Sequence, residues 1–154
     1  MRAAADRVRV MRVTMLAAAA LLAALGACAD FNAPESSFGL PDVVVANPSF
    51  AHDVEPILAT RCATGGCHTT RSRRAGMVLE RGQAYDNIVG VQAVTSPLKR
   101  IEPGNPDESW LIRRIEADPA RRDNLPRMPL GSTPLTANQI ATIRNWVSQG
   151  ALRN

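Results

Sequence analysis

The stretch Arg61-Cys62-Ala63-Thr64-Gly65-Gly66-Cys67-His68 sets two thiols five positions apart and an imidazole directly after the second. Cysteines at such a spacing begin a disulfide, a metal site or a covalent attachment. Gly65-Gly66 lies between them, and glycine enters φ > 0 without steric cost. The four intervening residues can therefore loop out and return the second thiol towards the first.

Upstream, Phe50, Val54, Ile57 and Leu58 recur at helical spacing, and Pro56 fits if it lies in the first turn. Regular helix is expected from near Asp53 to near Cys62. Downstream, Met77-Val78-Leu79 is followed by a short helix near Gln83 to Val89. Asn105-Pro106-Asp107-Glu108 supplies a cap residue, a first-turn proline and the N-x-x-E spacing of a capping box, ahead of Trp110, Leu111, Ile112 and Ile115. A proline-rich loop, Leu125 to Gly131, comes next. In the last helix Thr136 and Gln139 form a T-x-x-Q box, and Leu135 can staple to Ile140. Ile140, Ile143, Trp146 and Val147 make its apolar stripe, and Gly150 suits its C-terminal cap. Residues 49–154 thus read as one small all-α domain.

The start of the chain reads differently. Arg2, Arg7, Arg9 and Arg12 precede Val13 to Leu25, which is apolar apart from Thr14. A basic start, a short apolar run and small residues describe an export signal, and the run falls short of the ~20 residues a spanning helix needs. Leu25-Gly26-Ala27-Cys28 resembles a bacterial lipobox, which makes residues 1–27 a signal peptide and Cys28 the lipidated residue. Residues 28–48, with Pro34, Pro41 and Pro48, read as a tether. Within it Val43-Val44-Val45 is a β-like run suited to local packing. Of 18 basic and 14 acidic residues, four arginines and Asp6 precede Cys28, leaving 14 and 13, a net charge of +1. The basic pI therefore derives largely from the signal, and no nucleic-acid partner is expected.

With Cys28 set aside, Cys62 and Cys67 remain as a pair. The c-type haem attachment signal is C-x-x-C-H. Two thiols add to the vinyl groups on one haem edge and the next imidazole reaches iron, so the second cysteine and the histidine must be adjacent. Cys67 and His68 are. The first spacing is four residues instead of two, so Gly65-Gly66 must carry the extra length outward. A Cys62–Cys67 disulfide also suits an exported chain and leaves His68 incidental. A zinc site would draw on Cys62, Cys67, His68 and His52. For an iron opposite His68 the candidates are Met77, Met128 and His52, and methionine with histidine is a known haem pairing. Met77 also reads as core filler and His52 as a solvated residue. Met128 lies between Arg127 and Pro129 in a stiff loop that can present a thioether at small entropic cost.

Phe50 to Ala151 resembles a family of bacterial c-type cytochrome domains, often found in lipoproteins and related to the cytochrome c fold. The matching pieces are Asp53-Val54-x-Pro56-Ile57-Leu58, the Cys–Cys–His motif, Ala75-Gly76-Met77-Val78-Leu79, Pro103-Gly104-x-Pro106 with Ser109-Trp110-Leu111, Met128-Pro129, and Ile143-x-x-Trp146-Val147-x-x-Gly150-Ala151. The resemblance implies a cytochrome c-like fold with the first and last helices crossing beside one haem c. It implies that Cys62 and Cys67 hold the haem, that His68 is the proximal ligand and that Met128 is the distal one. With both axial positions filled, the implied function is single-electron transfer and not enzyme catalysis. The expected setting is the periplasmic face of the cell envelope, with a redox partner protein and a membrane held through lipid. The outer membrane is preferred, since Ala29 follows Cys28 and Asp30 stands one place late for inner-membrane retention. Arg71, Arg73 and Arg74 either guide an acidic partner or form a solvated face. Two rival functions are a haem-free structural or interaction lipoprotein with a Cys62–Cys67 disulfide and a haem-based sensor with a weak sixth ligand.

Overall fold

A computed structural model describes residues 39, 40, 42–116 and 125–154; the expected signal, Cys28 and most of the tether lie outside them. Ser49 opens the first helical element. Its Oγ accepts from the His52 N–H at 3.4 Å, and Asp53 Oδ2 accepts from the Ser49 N–H at 2.7 Å. A wide π-helical turn, Phe50–Val54, then runs directly into helix α1, Glu55–Arg61. Pro56 falls in the first turn of α1, where its missing N–H has no helical partner to lose. Regular helix begins two residues later than the pattern predicts, because the wide turn comes first.

Helix α2, Ala84–Ile88, lies where the sequence places a short helix. Asn105 does act as a cap, accepting from Glu108 N at 3.3 Å, but it heads a separate 3-10 turn, Pro106–Glu108. Helix α3, Trp110–Ile115, starts only after Ser109. That residue is fully buried with extended backbone; its Oγ donates to Asn105 O and accepts from Glu102 N, both at 2.9 Å. These side-chain bonds replace the helical ones and split the element in two.

Helix α4, Ala137–Ser148, has the capping box its sequence predicts. Thr136 Oγ1 accepts from Gln139 N at 3.1 Å, and Gln139 Oε1 accepts from Thr136 N at 3.2 Å. At its other end Gly150 takes φ +100°, with Gly150 N on Val147 O and Ala151 N on Trp146 O, both 3.0 Å. This is a Schellman stop.

The two apolar stripes meet in one core. Phe50, Val54, Ile57 and Leu58 join Ile143, Trp146 and Val147, with Ile140 half-buried at the edge. Tyr85 of α2 completes an aromatic group with Phe50 at 5.2 Å and Trp146 at 6.3 Å. The described residues form no strand, only the isolated bridges Val89 to Ile101 and Gln92 to Lys99. None of their helices is long and apolar enough to cross a membrane. The fold class is all-α.

Part of the segment that composition assigns to the tether is docked. Val45 N donates to Thr142 Oγ1 at 3.0 Å, while Asn138 Nδ2 and Asn145 Nδ2 donate to Asp42 O and Val45 O, both at 2.9 Å. Gln149 Nε2 reaches Ala46 O at 2.7 Å. Residues 42–46 therefore form a strap along α4, although Val43 and Val44 stay exposed. What holds the strap is the polar side chains on and just after α4 and not the exposed Val43 and Val44 side chains.

Thr136 serves both features, since its Oγ1 also donates to Asp42 Oδ1. Thr136→Ala should lower stability by about 1–2 kcal/mol, the usual range for losing such a cap. Thr136→Ser should recover most of it in the same urea titration. Equal midpoints for all three chains would refute this role.

Candidate functional site

The end of α1 delivers Cys62. Its N–H donates to Leu58 O at 2.9 Å, and the next residue repeats the bond at 3.2 Å. The chain then leaves the helix. Cys67 N closes on Thr64 O at 3.0 Å, and His68 N returns to Cys62 O at 3.2 Å. Gly66 makes the reversal at φ +80°, a conformation that costs any residue with a Cβ. The outward loop expected of Gly65-Gly66 is present, and Cys62 and His68 are hydrogen-bonded neighbours across it.

The His68 ring is held by the following turn. Nδ1 lies 3.0 Å from Arg74 O. A carbonyl can only accept, so Nδ1 carries the proton and Nε2 keeps its lone pair. Burial, above all, holds the imidazole below its ordinary 6.5. Backbone bonds at Arg74 and Met77 oppose that, and the charges of Arg100 and Arg74 add to it. A neutral imidazole with Nδ1 tied to a carbonyl is the form that binds a metal through Nε2.

Cys62 and Cys67 are free thiols, not bonded to each other. Cys62 is half-buried against the core, and burial pushes its thiol up to about 12, with Arg61 opposing and Cys67 adding. Met77 and Met128 pack against the same core. Met128 is pinned by its own N–H on Arg114 O at 2.7 Å, while Arg127 Nε donates to Ile115 O at 2.6 Å and Arg114 Nη2 donates to Pro126 O. His52 is exposed at the far end of the same helical run, ten residues before Cys62 and so about 15 Å away. Among the described residues no three His, Cys, Asp or Glu side chains gather as a metal site, which the zinc alternative requires.

Three arginines shape this region beyond what the sequence suggested. Arg61, buried beside Cys62, donates through Nη2 to Thr133 O at 2.6 Å and Pro134 O at 3.3 Å, tying α1 to the loop that follows Met128. Arg74 donates from Nε to Gly66 O at 3.2 Å, so it braces the cysteine loop although, like Arg71 and Arg73, it is exposed. Arg100 is buried and reaches the turn at Ala75 and Gly76. The available signal was modest: Arg61 follows an apolar helical stripe, and Arg100 lies between apolar Leu98 and Ile101. The chain matches no family model, no characterised protein and no solved structure.

Two measurements check this geometry. With its thiol near 12 instead of 9.0, Cys62 holds about a thousandfold less thiolate at pH 8 than in an unfolded chain. Iodoacetamide should label Cys62 at least ~100-fold more slowly in the native chain than in urea; equal rates would show the sulfur to be open. His68 titrates lower when folded, so the unfolded chain binds more protons as pH drops below 6.5. Its stabilising contribution is present above that pH and is lost as pH falls through the folded value. In cofactor-free chain, the stability difference between wild type and His68→Gln should shrink from pH 7 to pH 5. A constant difference contradicts the burial of the ring.

Proposed function

We propose that the chain is a membrane-tethered c-type cytochrome that carries single electrons, with one haem c attached through Cys62 and Cys67. The observation that carries this reading is the state of His68: an imidazole whose burial disfavours its charged form, with Nδ1 on Arg74 O, in a loop with two unpaired thiols. The donor set fits the group. Two thiols serve covalent attachment, one imidazole serves iron, and Met128 supplies a thioether from a loop fixed on α3.

When bound, haem supplies a one-electron couple, and pairing histidine with methionine raises its potential. His68 and Met128 would hold the iron, and with both ligands coming from the protein the proposed role is transfer and not catalysis. Arg74 keeps the imidazole oriented, and Arg61 and Arg114 keep the Met128 loop in place. The fold that this implies is cytochrome c-like, with the core between α1 and α4 closing one side of the site. Lipid on Cys28 would hold the domain at the periplasmic face of the envelope, the outer membrane preferred. Because residues 42–46 are docked and Leu40 packs against the core, residues 29–39 set the reach, at most about 40 Å when fully extended. Arg71 and Arg73 remain exposed and suit an acidic redox partner.

Expression with a cytochrome c maturation system and a pyridine haemochrome spectrum tests the reading. Covalent haem is expected. Its absence under conditions that load a control cytochrome, with a Cys62–Cys67 disulfide in its place, would establish the interaction lipoprotein instead. In the loaded protein Met128→Ala should abolish the weak near-infrared-edge band of methionine–iron coordination. Persistence of the band would move the ligand role to Met77.

A further inference from the structure

We infer that Arg100 is a positioning residue for His68, acting through the turn that holds the imidazole. The geometry stands by itself; its purpose rests on the cofactor reading above.

Arg74 is the immediate contact. It touches the motif at three points: its N–H donates to Cys67 O at 3.2 Å, its Nε to Gly66 O at 3.2 Å, and its carbonyl accepts from His68 Nδ1 at 3.0 Å. The residues on either side of it are left-handed without being glycine, Arg73 at φ +44° and Ala75 at φ +52°. Such backbone is unfavourable for residues with a Cβ and persists only where the surroundings impose it. Something must therefore hold the turn in the shape that aims the Arg74 carbonyl at the ring.

Arg100 is placed to do so. Its backbone is fixed, with N–H on Val91 O at 2.7 Å and C=O accepting from Leu111 N at 2.9 Å. The side chain is buried, 8 % exposed, and forks. Nη1 donates to Asn87 O at 2.7 Å, at the end of α2, while Nη2 donates to Ala75 O at 2.9 Å and leans to Gly76 O at 3.4 Å. Asn87 is itself secured, its Nδ2 on Gln83 O at 2.9 Å and its Oδ1 accepting from Val78 N at 3.2 Å. One rigid guanidinium thus bridges α2 to the strained turn. A lysine, with a single ammonium in place of a planar fork, cannot reproduce both arms. An arginine that merely satisfied loop carbonyls would leave the His68 tautomer indifferent to its removal. A positioning arginine would not.

The test uses the full chain with 15N-labelled histidine, read by NMR at pH 8. In cofactor-free wild type His68 should show a single Nδ1–H tautomer. Arg100→Gln should convert it to a mixture of both tautomers and Arg100→Lys should fall between, with exposed His52 unmoved as the internal control. Wild-type His68 in the Nε2–H form overturns the inference without any variant, so it stays testable even if Arg100→Gln fails to fold. A folded Arg100→Gln chain with an unchanged tautomer overturns it equally. In haem-loaded protein the looser Nδ1–H bond makes the imidazole a weaker electron donor, so Arg100→Gln should raise the midpoint potential and Arg100→Lys raise it less. An unchanged potential counts against the role. If the tautomer responds as expected but no haem is ever attached, the clamp stands and the cofactor reading falls.

Discussion

Trp146 packs its ring 5.1 Å from Phe50, and its Nε1 donates to Leu152 O at 2.8 Å. Most elements here are too short to persist alone: α1 has seven residues, α2 five and α3 six. Each keeps its helix because one apolar face is buried against α4 or against a neighbour that α4 supports. The segment after α4 completes the arrangement. Ala151 O accepts from Tyr85 OH at 2.9 Å, and Asn154 O accepts from Ala51 N at 2.9 Å and Ser49 Oγ at 2.8 Å. Asn154 Oδ1 takes the Phe50 N–H at 2.7 Å. Amides at the start of the first helical element, which lack helical partners, are thereby satisfied from the other end of the domain. The position of Cys62 at the end of α1 is inherited from this packing.

The loops raise a different problem. A domain with so little regular structure leaves many carbonyls without helical partners, and buried ones must be paired. Arginine does much of that work here. Arg61 serves Thr133 and Pro134, Arg100 serves Asn87 and Ala75, and Arg127 serves Ile115. A guanidinium suits the task because its donors lie in one rigid plane and can reach two segments at once. Ion pairs are secondary, with Arg144 between Asp107 and Glu116 as the best-formed case.

That distribution explains which features were readable in the sequence. The α4 capping box, the Gly150 stop and the meeting of the Phe50 and Trp146 stripes follow from local rules, because spacing and cap chemistry act over a few residues. The neighbourhood of Cys62 and His68 followed for the same reason, Gly66 supplying the one backbone conformation the loop needs. Two features were not legible. The Asp42 to Ala46 strap depends on Asn138, Thr142, Asn145 and Gln149, polar residues that on a helix face read as solvated. Arg100 is the other, since nothing in a pattern of residue types tells a solvated guanidinium from one spanning two segments; Arg74 is exposed, in line with the solvated-face reading of Arg71, Arg73 and Arg74. Met128 is intermediate: its stiff loop is legible, but its anchoring by Arg114 and Arg127 is not.

The lengthened cysteine spacing can be judged on these terms. Two extra residues would displace His68 if they were laid along the chain path, yet the path closes on itself. Thr64 O accepts from Cys67 N, Cys62 O accepts from His68 N, and Arg74 Nε ties Gly66 O from outside. A Cβ built on Gly65 or Gly66 would meet nothing within 4 Å, so the loop projects into open space and its length presses on no neighbour. Only the φ of Gly66 constrains what may stand there. The ends of the loop are held by these bonds. His68 is then oriented from downstream, by Arg74 O, and its own carbonyl accepts from Leu79 N at 2.8 Å. The loop and the His68 ring are therefore held separately: the loop by its own closed turn, and the ring by residues 74 to 79 and the arginine that braces them.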